Sequence, residues 1–520
     1  MKVRYFLIAA AMMTGMTAMA QETYENAKIA TEDLNGTARY VGMGGALDAL
    51  GADISTMSSN PAGIGLFKHP VVSTSFGFVS QQDAEKSSFV DATNVSFDQL
   101  GFVYVNQTRS NSFFNVGFNY HKSRNFDFIL SAANQLENAS QNKLTYEKGV
   151  NGLIFGNNGN TMISCNQLDA LYVSYMLNYS GEIAEDGSPV YYYYPATDFT
   201  FNRGHKGYIG EYDINFSGNI HDRIFLGMTV GIHDVHYKHY GEYTEQLEGN
   251  AYGLSSVTVA DERKITGAGV DIKAGVIVRP IETSPFRIGL SVSTPIWYDL
   301  KTTNFTQVGF KANAIPPAME SYKFRLNTPW KFGLSLGHTI GNMVAIGAGV
   351  DYADYSYLDS RVDDGDYYDY YWDEYYSSSS SDKNMNEHTE RTLKGVATVK
   401  LGVEVKPIPE LAFRLGYNTS TPMYDKEGQK DGTIQSNGSY YSSATDFTNW
   451  KATNRITAGV GYTAGKMSFD LAYQYSSTSG EFYPFQSYYE GPNSSENVLC
   501  NNSKVENKRH QLLMTLGYHF

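Results

Sequence analysis

His233, His236 and His239 stand at intervals of three, an H-x-x-H-x-x-H run whose imidazoles suit a metal ion or haem. On a strand His236 faces away from the other two, so the three do not converge on one ion. They read as rim histidines, with ligation the alternative, and no metal or cofactor is expected from them. Cys165 and Cys500, the only two cysteines, fall in long polar connections; an oxidising compartment either bridges them or leaves two free thiols. Residues 363–381 crowd carboxylates and tyrosines ahead of five serines. They read as an exposed loop, either an adhesive or calcium-binding patch or simply solvated surface. The tyrosines at 191–194 read the same way. No phosphate-cradling loop, H-E-x-x-H, G-x-S-x-G or paired C-x-x-C occurs, so no enzyme is expected, and only a dispersed Ser/His pair is left open.

What must position these residues is a sheet. From His510 to Phe520 the chain alternates strictly: Leu512, Met514, Leu516, Tyr518 and Phe520 face one way, Gln511, Leu513, Thr515, Gly517 and His519 the other. A chain closing on such an aromatic strand resembles the substrates of the outer-membrane barrel-assembly machinery. Lys2 and Arg4, then an apolar stretch, then Ala18-Met19-Ala20 before Gln21 form a secretory signal over residues 1–20. Beyond it no apolar run is long enough for a helical membrane span, which leaves a closed barrel as the spanning form. Tyr 41, Phe 28 and Gly 49 with a mean hydropathy of -0.36 suit strands with an aromatic lipid face and a small or polar inner face. A net charge of -14 disfavours nucleic acid as a partner.

The fold class expected is all-β, an antiparallel transmembrane barrel of about fourteen strands. The alternating segments are 71–80, 99–106, 112–122, 208–218, 223–237, 267–278, 286–294, 330–340, 343–355, 395–406, 411–419, 455–463, 467–476 and 508–520. Short and long links alternate between them, as periplasmic turns and extracellular loops must. The longest link, 123–207, has room for further strands, with 169–178 weakly alternating. On 343–355, Val344, Ile346, Ala348, Val350 and Tyr352 meet lipid. Asp271, Lys273, Arg287, Lys331, Lys400, Glu404, Arg414, Arg455 and Asp470 fall on inner faces, where opposite charges can pair. The barrel proper is 70–520, and 21–69 form a separate unit ahead of it.

That unit holds Gly42-Met43-Gly44-Gly45-Ala46 and Asn60-Pro61-Ala62-Gly63. Glycines permit tight turns and close approach, and Asn-Pro starts turns, so a compact plug is expected, its home the lumen. With Thr328-Pro329-Trp330-Lys331-Phe332 and Phe413-Arg414-Leu415-Gly416-Tyr417, these stretches resemble the long-chain fatty acid transporter family of outer-membrane proteins, the FadL/TodX type, over essentially the whole mature chain.

The resemblance implies a hatch carried by Gly42, Gly44, Gly45, Asn60, Pro61, Ala62 and Gly63. It also implies capture of hydrophobic small molecules by the outer loops and sideways release into outer-membrane lipid beside a kinked third strand, where Gly117 is the candidate for the opening. A fatty acid brings a carboxylate that must be paired in an apolar site. Arg287, Lys331 and Arg414 are the candidates, unless they pair internally with Asp271, Asp351, Glu404 or Asp470. The polar 123–207 link and the acidic 363–381 loop depart from a greasy capture surface. Some proteins resembling the family are secretion-system components or labelled haem receptors, which keeps a protein-binding scaffold or a haem receptor as the alternatives.

Overall fold

In this computed structural model the last strand pairs with the first, Val71 lying opposite His519 and Ser80 opposite His510. The wall runs β1 (Val71–Gln81), β2 (Thr93–Arg109), β3 (Ser112–Asn125), β4 (Ala196–Ile220), β5 (Ile224–Leu247), β6 (Ser256–Val278) and β7 (Arg287–Ser293). It continues through β8 (Lys331–Ile340), β9 (Val344–Asp354), β10 (Gly395–Ile408), β11 (Leu411–Ser420), β12 (Thr453–Ala464), β13 (Met467–Tyr483) and β14 (Ser503–His519). Each strand pairs antiparallel with the next, closing a barrel of fourteen strands. The structure describes residues 22–520 apart from 152, 154, 157–161, 165, 176–177, 184–188, 249–254, 311–312, 315–317, 372, 443 and 493. The expected signal at 1–20 lies outside the described residues.

A strand crossing lipid must show apolar side chains outward on alternate positions. On β5 these are Ile224, Leu226, Met228 and Ile232, all exposed, while Phe225, Thr229 and His233 are buried inside. The stretch 224–232, at about 3.3 Å per residue and a tilt of about 40°, rises roughly 20 Å, most of the height of an outer-membrane apolar band of about 25 Å. Leu512, Met514 and Tyr518 on β14, and Ile346, Val350 and Tyr352 on β9, belong to the same belt. The chain is a multi-pass outer-membrane barrel.

Above the belt the polarity inverts. Along β5 the outward residues become Asp234, His236, Lys238 and Glu242, while inward Val235, Tyr237 and Tyr243 are buried apolar groups. The strands therefore continue well past the ends read from sequence, β4 starting at Ala196 rather than 208 and β5 reaching Leu247 rather than 237. The alternation persists but changes phase, because outside the bilayer the apolar face packs inward. Phe199, Phe201, Phe482, Phe485 and Val505 join this upper core.

Several links carry strands added to that raised rim, one of them in the 123–207 link, where further strands had room. Phe128–Ala139 pairs with β4, Trp297–Phe310 with β6, and Ala318–Asn327 with Trp297–Phe310. The acidic, tyrosine-rich 363–381 is not an irregular loop: Asp359–Asp369 and Glu374–Ser381 form a hairpin. The stretch 169–178, expected to alternate, instead contributes to a helix, Gln167–Tyr175. Its buried Leu168, Leu171 and Tyr172 follow helical spacing, and Asn166 Oδ1 accepts the Asp169 N–H at 2.7 Å to cap it.

Candidate functional site

Between residue 22 and β1 the chain folds as short capped turns. Helix α1 (Thr23–Ala30) is capped by Glu22, whose carboxylate accepts from the N–H groups of Tyr24 and Glu25. Helix α2 (Ala38–Gly42) is capped by Thr37. The turn after it needs Gly44 and Gly45 at φ +63° and +79°, where a Cβ is strained. Asn60 Oδ1 accepts the Ala62 N–H at 3.2 Å, opening a 3-10 helix (Pro61–Leu66) with proline in the first turn. Thr37 ties the two halves together, donating its hydroxyl to Asp53 at 2.8 Å and its N–H to Ser55 Oγ at 2.8 Å.

This segment meets the inner wall at glycines. A methyl on Gly337 of β8 would lie 3.1 Å from the Leu50 amide nitrogen, and one on Gly101 of β2 2.7 Å from the Ile54 side chain. Methyls on Gly227 of β5, Gly275 of β6, Gly347 of β9, Gly402 of β10 and Gly416 of β11 would collide with Pro61, Asn60, Ala46, Met43 and Gly44 respectively. Sequence reasoning saw the glycines of the segment and missed their counterparts on the wall. The available signal was glycine recurring at inward positions of successive strands.

Charge fixes the segment as well. Lys400 spans Asp48 of the segment at 2.9 Å and Asp351 of β9 at 2.6 Å. Arg39 reaches Glu404 at 3.1 Å, and Glu404 also takes Arg414 at 2.6 Å. Of the three cations expected to meet a ligand carboxylate, Arg414 is further held by Asp470 at 2.6 Å. Arg287 donates to the Leu50 carbonyl at 2.7 Å, and Lys331 pairs with Glu32 at 2.6 Å. The three do not converge, because each has a separate anchoring partner.

Gly117, the expected place of a wall opening, sits in an intact ladder, opposite Val103 on β2 and Asn215 on β4. The space left by its missing side chain is taken by Met57. The register between β3 and β4 slips instead between Lys122 and Arg124. A bulge frees backbone groups from the ladder, and the segment satisfies them. The Asp33 N–H donates to Ser123 O at 2.7 Å, the Asn125 N–H donates to Asp33 Oδ2 at 2.9 Å, and Asn35 donates to Lys122 O at 3.1 Å. Burial alone would raise the Asp33 carboxyl. Arg124 at 2.9 Å, with Arg509 and Arg455 beyond it, holds it below its ordinary value instead.

Beside this bulge lies a lumenal cavity of about 330 Å³. Leu34, Ala353, Met423 and Trp450 give it apolar surface, and Lys331, Arg455 and Arg509 give it positive charge. Arg455 donates to Asn418 at 2.9 Å and Arg509 to the Asn125 carbonyl at 3.3 Å. Among the described residues neither has a carboxylate within ion-pair distance. Arg455 was recognisable as inward-facing, and Arg509 shares its strand phase with Gln511, yet neither stood out as a ligand partner from sequence.

The histidine run divides as its period requires. His239 faces inward against Asp261 at 2.6 Å and His233 inward against Asp271 at 3.1 Å, while His236 is exposed beside Asp234. Cys500 is buried, and burial pushes its thiol up to about 12. Cys165, the other half of the expected bridge, lies outside the described residues. The Phe520 N–H donates to Pro70 O at 3.0 Å, fastening the end of β14 to the start of β1.

No family model and no curated protein matches the chain. Among solved structures, the toluene transporter TbuX of Ralstonia pickettii is similar over 94% of this chain and 99% of its own, at 11% identity and a TM-score of 0.47. A FadL homologue of Pseudomonas aeruginosa is similar over 98% and 100%, at 11% identity and 0.48. The toluene transporter TodX of P. putida is similar over 94% and 99%, at 12% identity and 0.47.

Proposed function

We propose that this chain is a passive outer-membrane channel for hydrophobic small molecules that carry an acidic head, such as long-chain fatty acids, with residues 21–69 acting as its hatch. The observation that carries the reading is the lumenal cavity of about 330 Å³, lined both by apolar groups and by Arg455 and Arg509, neither of which has a carboxylate within ion-pair distance among the described residues. That volume is at the lower end of ligand pockets. An apolar tail gains by leaving water, and a carboxylate gains a charge-assisted bond worth about 1.5–3 kcal/mol.

Opening requires the segment to leave its glycine seats and its hold on Lys400. Release is sideways, near the bulge at Ser123, so that the apolar ligand enters lipid without crossing the polar periplasmic turns. The test is binding of a fatty acid and its methyl ester to purified barrel and to Arg455→Ala and Arg509→Ala. The parent should prefer the free acid, and each variant should lose about tenfold of that preference. Asn60→Ala, which removes the cap of the 3-10 helix, should alter passage into liposomes. Absence of binding across a broad panel of apolar ligands would end the transport reading.

A second reading, a scaffold for a protein partner, is favoured by Tyr370 and Tyr371, which are 90% and 83% exposed at the turn of the outer hairpin. Affinity purification from intact membranes separates the two readings, a stoichiometric protein supporting the scaffold and co-purified lipid the channel.

A further inference from the structure

We infer that His121, Glu211, Asp213 and His233, on three adjacent strands of the inner wall, form a binding site for a divalent transition-metal ion of the zinc class. One donor atom each of His121, Glu211 and Asp213 lies within 4.8 Å of the others, and all three residues are buried. His121 Nε2 is 3.5 Å from Glu211 Oε2, and His233 Nδ1 is 3.8 Å from the same oxygen. These separations are too long for good hydrogen bonds and near the spacing of donors gathered round one ion at about 2.0–2.2 Å.

Lys273 does not already fill the site. It takes Glu211 Oε1 at 2.5 Å, Asp213 Oδ1 at 3.2 Å and Asp271 Oδ1 at 3.2 Å. The second oxygens of Glu211 and Asp213 are left on the imidazole side. Among the described residues Asp213 Oδ2 and His233 Nδ1 are buried with no hydrogen-bond partner. His233 is nine-tenths buried and more, and its Nε2 meets Asp271 Oδ1 at 3.1 Å. A carboxylate on one ring nitrogen fixes that nitrogen as the donor and leaves the other as a free lone pair, the arrangement that backs metal-bound histidines.

Charge points the same way. Glu211, Asp213 and Asp271 share the single ammonium of Lys273, so three buried carboxyl groups have one cation between them. A divalent ion supplies them with further positive charge. Two imidazole nitrogens with carboxylate oxygens suit zinc and its first-row neighbours better than calcium or magnesium. His121 also lines the lumenal cavity, which gives the ion a way in.

The test is equilibrium dialysis of the detergent-purified, EDTA-treated full barrel against Zn²⁺ alone. One zinc per chain is expected, lost in Asp213→Asn, while Asp271→Asn weakens binding about 10–100-fold and His236→Ala, on the outer face, changes nothing. Because buried variants can fail to assemble, the parent is also titrated with Co²⁺, whose visible absorption should report a four-coordinate nitrogen and oxygen site. No zinc or cobalt bound by the parent overturns the inference, as does zinc binding that Asp213→Asn and Asp271→Asn both leave intact.

Discussion

Lys400 of β10 holds Asp48 of the amino-terminal segment at 2.9 Å, both side chains almost wholly buried. Removing one partner of a buried pair costs about 3–5 kcal/mol, because the other charge stays desolvated. Lys400→Met strands both Asp48 and Asp351, whereas Asp48→Asn leaves Lys400 with Asp351 at 2.6 Å. Lys400→Met should therefore loosen the segment strongly and Asp48→Asn mildly, with the wall ladders unaffected. Single-channel recording in planar bilayers should show added open events in that order. Equal behaviour of the two variants would mean that the pair does not retain the segment.

The glycines of the wall make a sharper contrast. A methyl at Gly275 collides with Asn60, whereas one at Gly218, on the outer face of β4, meets nothing within 4 Å. Overpacking a tight contact costs about 1–3 kcal/mol. Gly275→Ala should expose the segment to protease added from the periplasmic side, and Gly218→Ala should leave it as protected as the parent. If both variants are equally protected, the glycine contacts do not seat the segment.

The membrane belt was legible because lipid outside and polar groups inside impose period two, and every barrel strand was placed from it. Above the belt the same period runs with its faces exchanged, as Ile232 gives way outward to Asp234 and His233 inward to Val235. A reading keyed to apolar residues facing out stops there. The segment's own motif was legible in Asn60 and Pro61, which cap and start a turn. Its seats were not, since Gly275 and Gly416 carry no side-chain signal and their purpose appears only when distant parts of the chain meet. Arg455 and Arg509 were hidden for another reason. Pairing is a matter of neighbours, and no spacing within β12 or β14 tells that Arg414 reaches two carboxylates at 2.6 Å while, among the described residues, they have none within ion-pair distance.

Phe520 separates assembly from stability. Its ring is exposed on the belt and touches Tyr518 edge-on at 5.0 Å between ring centres, while its tie to Pro70 runs through the backbone. Phe520→Ala keeps that bond, and a surface substitution of this kind changes stability by about 0.5 kcal/mol or less. The fraction of chains reaching the folded, heat-modifiable form in cells should fall, with the Tm of the assembled barrel unchanged. A lowered Tm with normal assembly would assign the ring a structural part instead.

Asp33 makes the docking of the segment acid-sensitive. Its carboxyl is held below the ordinary value by Arg124, Arg509 and Arg455 against the opposing effect of burial, and it receives the Asn125 N–H freed by the bulge. A depressed carboxyl stabilises the docked state fully above its undocked value, about 3.9. That contribution is lost as pH falls below this value and through the lower, docked one. Bonds to a charged group of this kind are worth about 1.5–3 kcal/mol. Asp33→Asn removes the charge at every pH, so its segment should be looser than the parent's at pH 7 by that amount, and the two should converge in acid. Protease protection of the segment, followed from pH 7 downward, measures the difference. A gap that persists unchanged below pH 3 would show that the charge of Asp33 is not what holds the segment to the bulge.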